Sequence, residues 1–373
     1  MNHLHIPDQL LPVDGRFGCG PAKVRSEQLD HLVAHAHLLG TSHRQAPVKE
    51  LVGRVREGLA ELFRLPDGYE VVLGNGGSTA FWDVAAASLI ERRSAHLSFG
   101  EFGAKCVQAA SAPWLDAPHV VKTDPGTRGE LHAVDGCDVY AWPHNETSTG
   151  VSAPVQRIAG TEGALMMVDA TSAAGGMDFD PTEMDVYYFA PQKNFASDGG
   201  LWFALLSPAA IERVERLDRS DRFIPEFLSL QRAIENSRLN QTLNTPAIAT
   251  LLLMEAQIEW MRGLGGLAAC TERTAQSSNA LYSWAESRAD VTPFVADPAH
   301  RSQVVVTLDI TDDIDATALT GALRQNGVVD TEPYRKLGRN QVRIATFVGI
   351  DPSDVGQLIR SMEYVLDTLP KKA

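Results

Sequence analysis

Lys193 lies in the run YYFAPQKNFASDGG, residues 187–200, where an apolar stretch gives way to a turn closed by glycines. An amine held at a strand end is placed to attack a carbonyl. Twenty-four residues earlier, the apolar run LMMVDATS carries Asp169 at its end. A strand-end aspartate ahead of a strand-end lysine fits the chemistry of pyridoxal phosphate. The lysine forms a Schiff base with the aldehyde, and the carboxylate keeps the pyridine nitrogen protonated, so that the ring accepts electrons when the substrate loses its α-proton. Either residue alone has a plainer reading, a solvated charge for the lysine and a cap or turn for the aspartate.

A seat for an anion comes from YEVVLGNGGSTAFWDVAAASLI, residues 69–90, which reads as a strand over 69–73, a glycine-rich turn over 74–77 and a helix opening at Ser78 and Thr79. Glycines let the backbone approach an anion, and the free N–H groups and dipole of a helix start favour phosphate. No Lys-Ser or Lys-Thr follows the glycines and the spacing is not GxGxxG, which disfavours a nucleotide P-loop and a dinucleotide-binding dehydrogenase. Plain N-capping is the alternative role for Ser78 and Thr79.

The elements that must position these groups alternate. Val48, Leu51, Val52, Val55, Leu59 and Leu62 recur at helical spacing after Gln45. Apolar strand candidates follow at 70–73, 95–99, 119–122, 138–142, 165–169, 186–189 and 201–206, with helices starting near Ser78, Glu101 and Pro208. Near-continuous apolar strands between helices imply a largely parallel sheet covered on both faces. Asn75, Thr147, Asp169 and Lys193 all follow strands, where open α/β sheets bind ligands. Long helices are expected at 247–261 and 267–287, then a strand at 303–309, a helix at 315–325, a strand at 341–347 and a helix from Pro352, a smaller α/β unit.

Seven segments in one order carry a family resemblance: FGCGPAKVR (17–25), GTSHRQAP (40–47), GNGGSTAFWD (74–83), HNETSTGV (144–151), VDATS (168–172), FAPQKNF (189–195) and LNTPAIAT (243–250). Together they resemble the phosphoserine aminotransferases, in a divergent bacterial branch, over nearly the whole chain. The resemblance implies a fold-type I α/β transferase. Its large domain, 16–261, would hold a mainly parallel seven-stranded sheet, and 1–15 with 262–373 would form the smaller domain. It implies Lys193 as the Schiff-base lysine, Asp169 as the pyridinium partner, and Ser78, Thr79 and Gln192 as phosphate ligands. Thr147 would meet the ring hydroxyl, with Asn145 and Glu146 organising its loop.

Phe102 falls where most of the family stacks a tryptophan on the ring; a core phenylalanine is the competing view. Asn244 and Thr245 correspond to a pair reaching the phosphate from the other subunit of a homodimer, although they also suit a cap for the helix after Pro246. Arg44 matches the residue gripping the α-carboxylate, and His43 and Arg343 match positions around the distal anion. EPYRKLGRNQVR, residues 332–343, departs from the usual His-Arg pair, leaving Arg335 or Lys336 for the second distal position and Arg339 as a surface charge.

The implied reaction moves an amino group from L-glutamate to 3-phosphooxypyruvate, giving 2-oxoglutarate and O-phospho-L-serine, with the phosphorylated hydroxythreonine analogue of the pyridoxine pathway as a second substrate. Rivals within the cofactor superfamily are an alanine or serine:glyoxylate aminotransferase, which needs no distal-anion site, and a cysteine desulfurase, which needs a late nucleophilic Cys where this chain has none after Cys270. A non-catalytic binding protein would have little reason to keep Lys193, Asp169 and Arg44 together. The formal charge of −14, from 33 Lys and Arg against 47 Asp and Glu in 373 residues, argues against nucleic acid or an anionic membrane as partner. Neither a membrane-length apolar stretch nor a signal-peptide pattern is present, so a cytoplasmic location is expected. Cys19, Cys106, Cys137 and Cys270 lack C-x-x-C spacing and read as reduced. His31, His35 and His37 suggest a helix face rather than a metal site.

Overall fold

The computed structural model describes residues 4–370. Helices α1 (Ser26–Ala34) and α2 (Ala46–Leu62) precede β1 (Glu70–Asn75) and α3 (Ser78–Ser88). Next come β2 (Ser94–Ser98), α4 (Glu101–Ala110), β3 (His119–Lys122) and β4 (Val139–Pro143). The short pair β5 (Asn145–Glu146) and β6 (Val151–Ser152) leads to β7 (Leu165–Asp169), β8 (Val186–Phe189) and β9 (Leu201–Leu206). Four helices follow, α5 (Pro208–Asp218), α6 (Leu230–Arg238), α7 (Ile248–Leu264) and α8 (Gly266–Ser287). The order ends with β10 (Val291–Pro293), β11 (Val305–Ile310), α9 (Ala316–Gln325), β12 (Gln341–Ala345) and α10 (Pro352–Thr368).

The seven-stranded sheet runs β1-β9-β8-β7-β4-β2-β3. Only β9 runs against the others, being antiparallel to both β1 and β8. Alternate residues feed opposite layers: Met166 and Val168 of β7 face one core with α2 and α7, while Leu165 and Met167 face another with α3 to α6. Period-two alternation in an all-apolar strand therefore buries both faces, as a parallel sheet requires. The largely parallel sheet expected from the sequence is present, and β3, β7, β8 and β9 keep their expected bounds.

Several boundaries move. Gly74 belongs to β1 and pairs with Trp202, and a Cβ there would lie 2.2 Å from the indole ring. The expected four-residue turn thus shortens to Gly76 and Gly77, because Gly74 makes room for an aromatic ring rather than an anion. Helix α6, the β5/β6 pair and strand β10 have no counterpart in the sequence reading, and of the helix face expected at His31, His35 and His37 only His31 lies in α1. β10 completes a three-stranded antiparallel sheet, β10-β11-β12, whose core joins α8, α9 and α10 with Ile6, Phe17, Cys19 and Ala22. Phe17 N–H donates to Val329 O at 3.3 Å, and its carbonyl accepts from Ala345 at 3.0 Å. Residues 1–3 and 371–373, assigned to the smaller unit from the sequence, lie outside the described residues. Local signals set the helix starts: Ser207, Asp315 and Asp351 accept backbone N–H bonds at the N-caps of α5, α9 and α10, and proline opens α5 and α10.

Candidate active site

Lys193 follows β8 in a loop that is pinned from four sides. Asn194 Nδ2 donates to Ser172 O at 2.8 Å, and its Oδ1 accepts from Val348 N–H at 3.1 Å. Gln257 donates to Asn194 O at 3.1 Å, and Gln28 from α1 to Ala196 O at 3.0 Å. The lysine is buried, with Nζ donating to the Cys19 carbonyl. Gly20, at φ +132°, lies so close that a Cβ on it would fall 2.0 Å from Nζ. Burial, assisted by the nearby Arg343 charge, lowers the amine pKa to about 8, so the neutral nucleophile is accessible near neutral pH.

Asp169 ends β7 as a buried carboxylate. Its Oδ1 accepts from Thr171 N–H at 2.9 Å and Thr171 Oγ1 at 2.6 Å; its Oδ2 accepts from Tyr188 OH at 3.0 Å and Trp82 Nε1 at 3.3 Å. Burial pushes the Asp169 carboxyl pKa up, while these donors from Thr171, Tyr188 and Trp82 pull against it. Thr171 Oγ1 also lies 2.6 Å from Ser78 Oγ, tying the helix start of α3 to the carboxylate. Neither Ser78 nor Thr79 caps α3. Its N-cap is Gly77, without a side-chain capping bond, and Thr79 is exposed. The first-turn N–H groups therefore precede the first intrahelical bond, Phe81 N–H to Gly77 O.

Thr147 is buried, its hydroxyl 2.9 Å from Ser172 Oγ. Glu146 is fully buried and accepts from Phe102 N–H at 3.1 Å, Gly103 N–H at 2.9 Å and the Ser148 hydroxyl at 2.7 Å. It thereby caps α4 and fixes Phe102, which is only half-buried and whose ring sits 6.1 Å from that of Tyr334. Phe102 packs, half-buried, against the core that α3 to α6 form on one face of the sheet. Gln192 Oε1 is buried without a hydrogen-bond partner. Arg343 NH1 donates to Thr147 O at 3.0 Å, its guanidinium stands 5.3 Å from the Tyr334 ring, and its buried Nε has no partner.

A second cluster forms at the end of β1. Asn75 Nδ2 donates to Thr245 O at 3.0 Å, and Asn244 N–H donates to Asn75 Oδ1 at 3.4 Å. Thr245 Oγ1 lies 3.2 Å from His43 Nδ1, and Arg44 NH1 donates to Gln241 Oε1 at 2.8 Å. Arg44, Asn244 and Thr245 are exposed. Neither Asn244 nor Thr245 caps α7, whose N-cap is Ala247, without a side-chain bond. Among the described residues, no hydrogen bond joins this cluster to Lys193, Asp169 or Arg343. Lys336 pairs with Glu101 and Arg339 with Asp309, the latter at 2.6 Å, whereas Arg335 is exposed and has no ion pair among the described residues.

Sequence reading missed Trp82, Tyr188, Thr171 and Gly20. The one available signal was helical spacing, since Trp82 sits four residues after Ser78 on α3. The lysine amine, the open first turn of α3 and the buried carboxylate suit pyridoxal phosphate. Among the described residues, no group of three or more His, Cys, Asp or Glu could hold a metal ion, and His31 bonds instead to Glu255 from α7 at 2.8 Å. No helix among them is long and apolar enough to cross a membrane, and all four cysteines are free.

The family model for class-V aminotransferases matches residues 23–331. A protein of Nocardioides named phosphoserine aminotransferase is 59% identical over 370 residues, covering 98% of this chain and 99% of its own length. In fold, the chain is similar to a phosphoserine aminotransferase from Cytophaga hutchinsonii, with TM-score 0.87 and 22% identity over 94% of this chain and 99% of that one. It is also similar to an alanine–glyoxylate aminotransferase from Nostoc, with TM-score 0.78 and 20% identity over 97% and 98%. The shared fold therefore spans enzymes named for different substrates.

Proposed function

The chain belongs to the class-V aminotransferases, which use pyridoxal phosphate, and on that footing we propose that it exchanges the amino group between L-glutamate with 3-phosphooxypyruvate and 2-oxoglutarate with O-phospho-L-serine. The observation that carries the phosphorylated substrate is Arg343. It has no carboxylate partner among the described residues and an unpaired buried Nε, in a chain of net charge −14, close enough to Lys193 to depress its basicity. A half-buried guanidinium without a counter-ion favours an incoming anion. The same grip supports the 4-phosphohydroxy-L-threonine pair as a second substrate.

When bound, the cofactor supplies an aldehyde that takes up the amino group and a ring that accepts electrons from Cα. Lys193 holds the aldehyde at rest and, once freed, its amine carries the proton between Cα and the cofactor carbon. Asp169 secures the ring nitrogen, Thr147 the ring hydroxyl, Phe102 one ring face, and Ser78, Thr79 and Gln192 the phosphate. Arg44 grips the α-carboxylate; Arg343, His43 and Arg335 receive the distal anion. The exposed Arg44, Asn244 and Thr245, with the half-buried His43 beside them, support a homodimer in which they complete the partner's site. We assign cofactor binding to a large domain, residues 16–261, and Arg335 and Arg343 to a smaller domain formed by 1–15 with 262–373, in an enzyme of the cytoplasm.

Spectral titration of the protein loaded with pyridoxal phosphate tests this reading. O-phospho-L-serine is expected to convert the visible band of the bound cofactor to that of its amine form, with L-serine and L-alanine far less effective. Equal conversion by serine or alanine would replace the reading with a glyoxylate-type aminotransferase.

A further inference from the structure

Asp169 needs an open lone pair for the ring nitrogen and must stay ionised although buried. Tyr188 is fully buried on β8, directly beside β7, and its ring is stacked 4.5 Å from Phe81 of α3. Its hydroxyl has one proton, and Asp169 Oδ2 at 3.0 Å accepts it. Trp82 Nε1 lies 2.9 Å from the Tyr188 oxygen and 3.3 Å from Oδ2, so the indole proton goes mainly to the phenol. A directed chain results, Trp82 to Tyr188 to Asp169, in which the 3.3 Å indole contact to Oδ2 is the longest of the four on the carboxylate and the one that a ring N–H would displace. Hydrogen bonds in such a chain polarise one another.

We propose that Tyr188, backed by Trp82, is a positioning residue that holds the Asp169 carboxylate ionised and oriented toward the ring nitrogen of the cofactor. The inference rests on the cofactor site proposed above and goes beyond it, since both residues act through Asp169. Other charged or titratable groups act on Asp169 or feel its charge: Lys193 after β8, Glu146 on β5, Cys106 on α4 and Tyr187 on β8. Of these, only Cys106 contacts the Tyr188 hydroxyl, through Sγ at 3.9 Å. The phenol is a better donor than a buried thiol at that distance.

The test compares wild type with Tyr188→Phe and Trp82→Phe, each loaded either with pyridoxal phosphate or with an analogue bearing carbon in place of the ring nitrogen. With the natural cofactor, Tyr188→Phe should lower the half-reaction rate about tenfold, the loss of one charge-assisted hydrogen bond, while KM stays within about twofold. Trp82→Phe should cost about threefold in the same direction, as a neutral bond to the phenol is lost. The pH profile of the bound cofactor's absorbance should shift in the same order. The carbon analogue cannot accept electrons through its ring and reports binding alone; all three proteins should take it up with one affinity, because Asp169 has no ring nitrogen to hold. A loss of affinity for the analogue as large as that for the natural cofactor would assign Tyr188 a merely structural role and overturn the inference. So would an unchanged rate and pH profile in Tyr188→Phe beside a working wild type. A wild type with no bound-cofactor absorbance would overturn the cofactor site together with the inference.

Discussion

The Lys193–Asp169 region and the His43–Arg44–Asn244–Thr245 region are both rich in polar groups, yet they are built in opposite ways. In the first, each functional atom is buried and held by donors from several elements: Thr171, Tyr188 and Trp82 on Asp169, and Asn194, Gln257 and Gln28 around the Lys193 loop. In the second, three of the four residues are exposed and their bonds run mostly among themselves and to Asn75. A buried network that satisfies itself is pre-organised for chemistry. An exposed one with no hydrogen bond to the amine among the described residues is incomplete within one chain, which fits a surface that works on another copy of the chain.

Removing the amine should break the first region most severely. Lys193→Ala is expected to lower multiple-turnover activity by on the order of 10⁴-fold or more, while its sedimentation matches that of the wild type; substantial turnover would remove Lys193 from the chemistry. Next in size is Arg343→Ala, which should cost phosphorylated substrates about 2–5 kcal/mol in kcat/KM. An unchanged preference for phosphoserine over serine would place the distal-anion grip elsewhere.

Acid should slow the first region in a graded way. Burial depresses the Lys193 pKa to about 8, so the amine is neutral above that pH and protonated below it. Re-association of pyridoxal phosphate with the cofactor-free protein should therefore slow by about tenfold per pH unit below 8 and level off above it. A flat profile from pH 6 to 9 would show that the amine is not so depressed. The smallest effect belongs to the second region, where Thr245→Ala should weaken cofactor binding by about 0.5–1.5 kcal/mol, the worth of one hydrogen bond. Equilibrium dialysis checks this, and an unchanged affinity would take Thr245 off the phosphate.

The first region was partly legible in the sequence because parallel strands advertise their C-terminal ends: an all-apolar run stops, and polar residues follow. That logic drew attention to Asp169 and Lys193, whereas the role of Thr147 came from the family resemblance. It misread Gly74, since a glycine that faces Trp202 across a strand pair looks the same in sequence as one in a phosphate turn. Trp82 and Tyr188 were invisible for a related reason. Both read as apolar core, and only the fold brings Trp82 to Asp169 across 87 residues of chain. The carboxylate on His31 was equally out of reach, as Glu255 lies 224 residues away. β10 has three residues and α6 has nine, too few for periodicity to separate them from loop.

Mixing subunits tests the division between the two regions most directly. Lys193→Ala and Arg44→Ala proteins, each inactive alone, would be unfolded, refolded together and assayed for amino transfer from glutamate to 3-phosphooxypyruvate. If Arg44 serves the partner's Lys193, mixed dimers contain one intact site, and activity should return to about a quarter of the wild-type level when subunits pair at random. Activity that stays at the level of the separate variants would contradict the account, because Arg44 and Lys193 would then have to act within one chain.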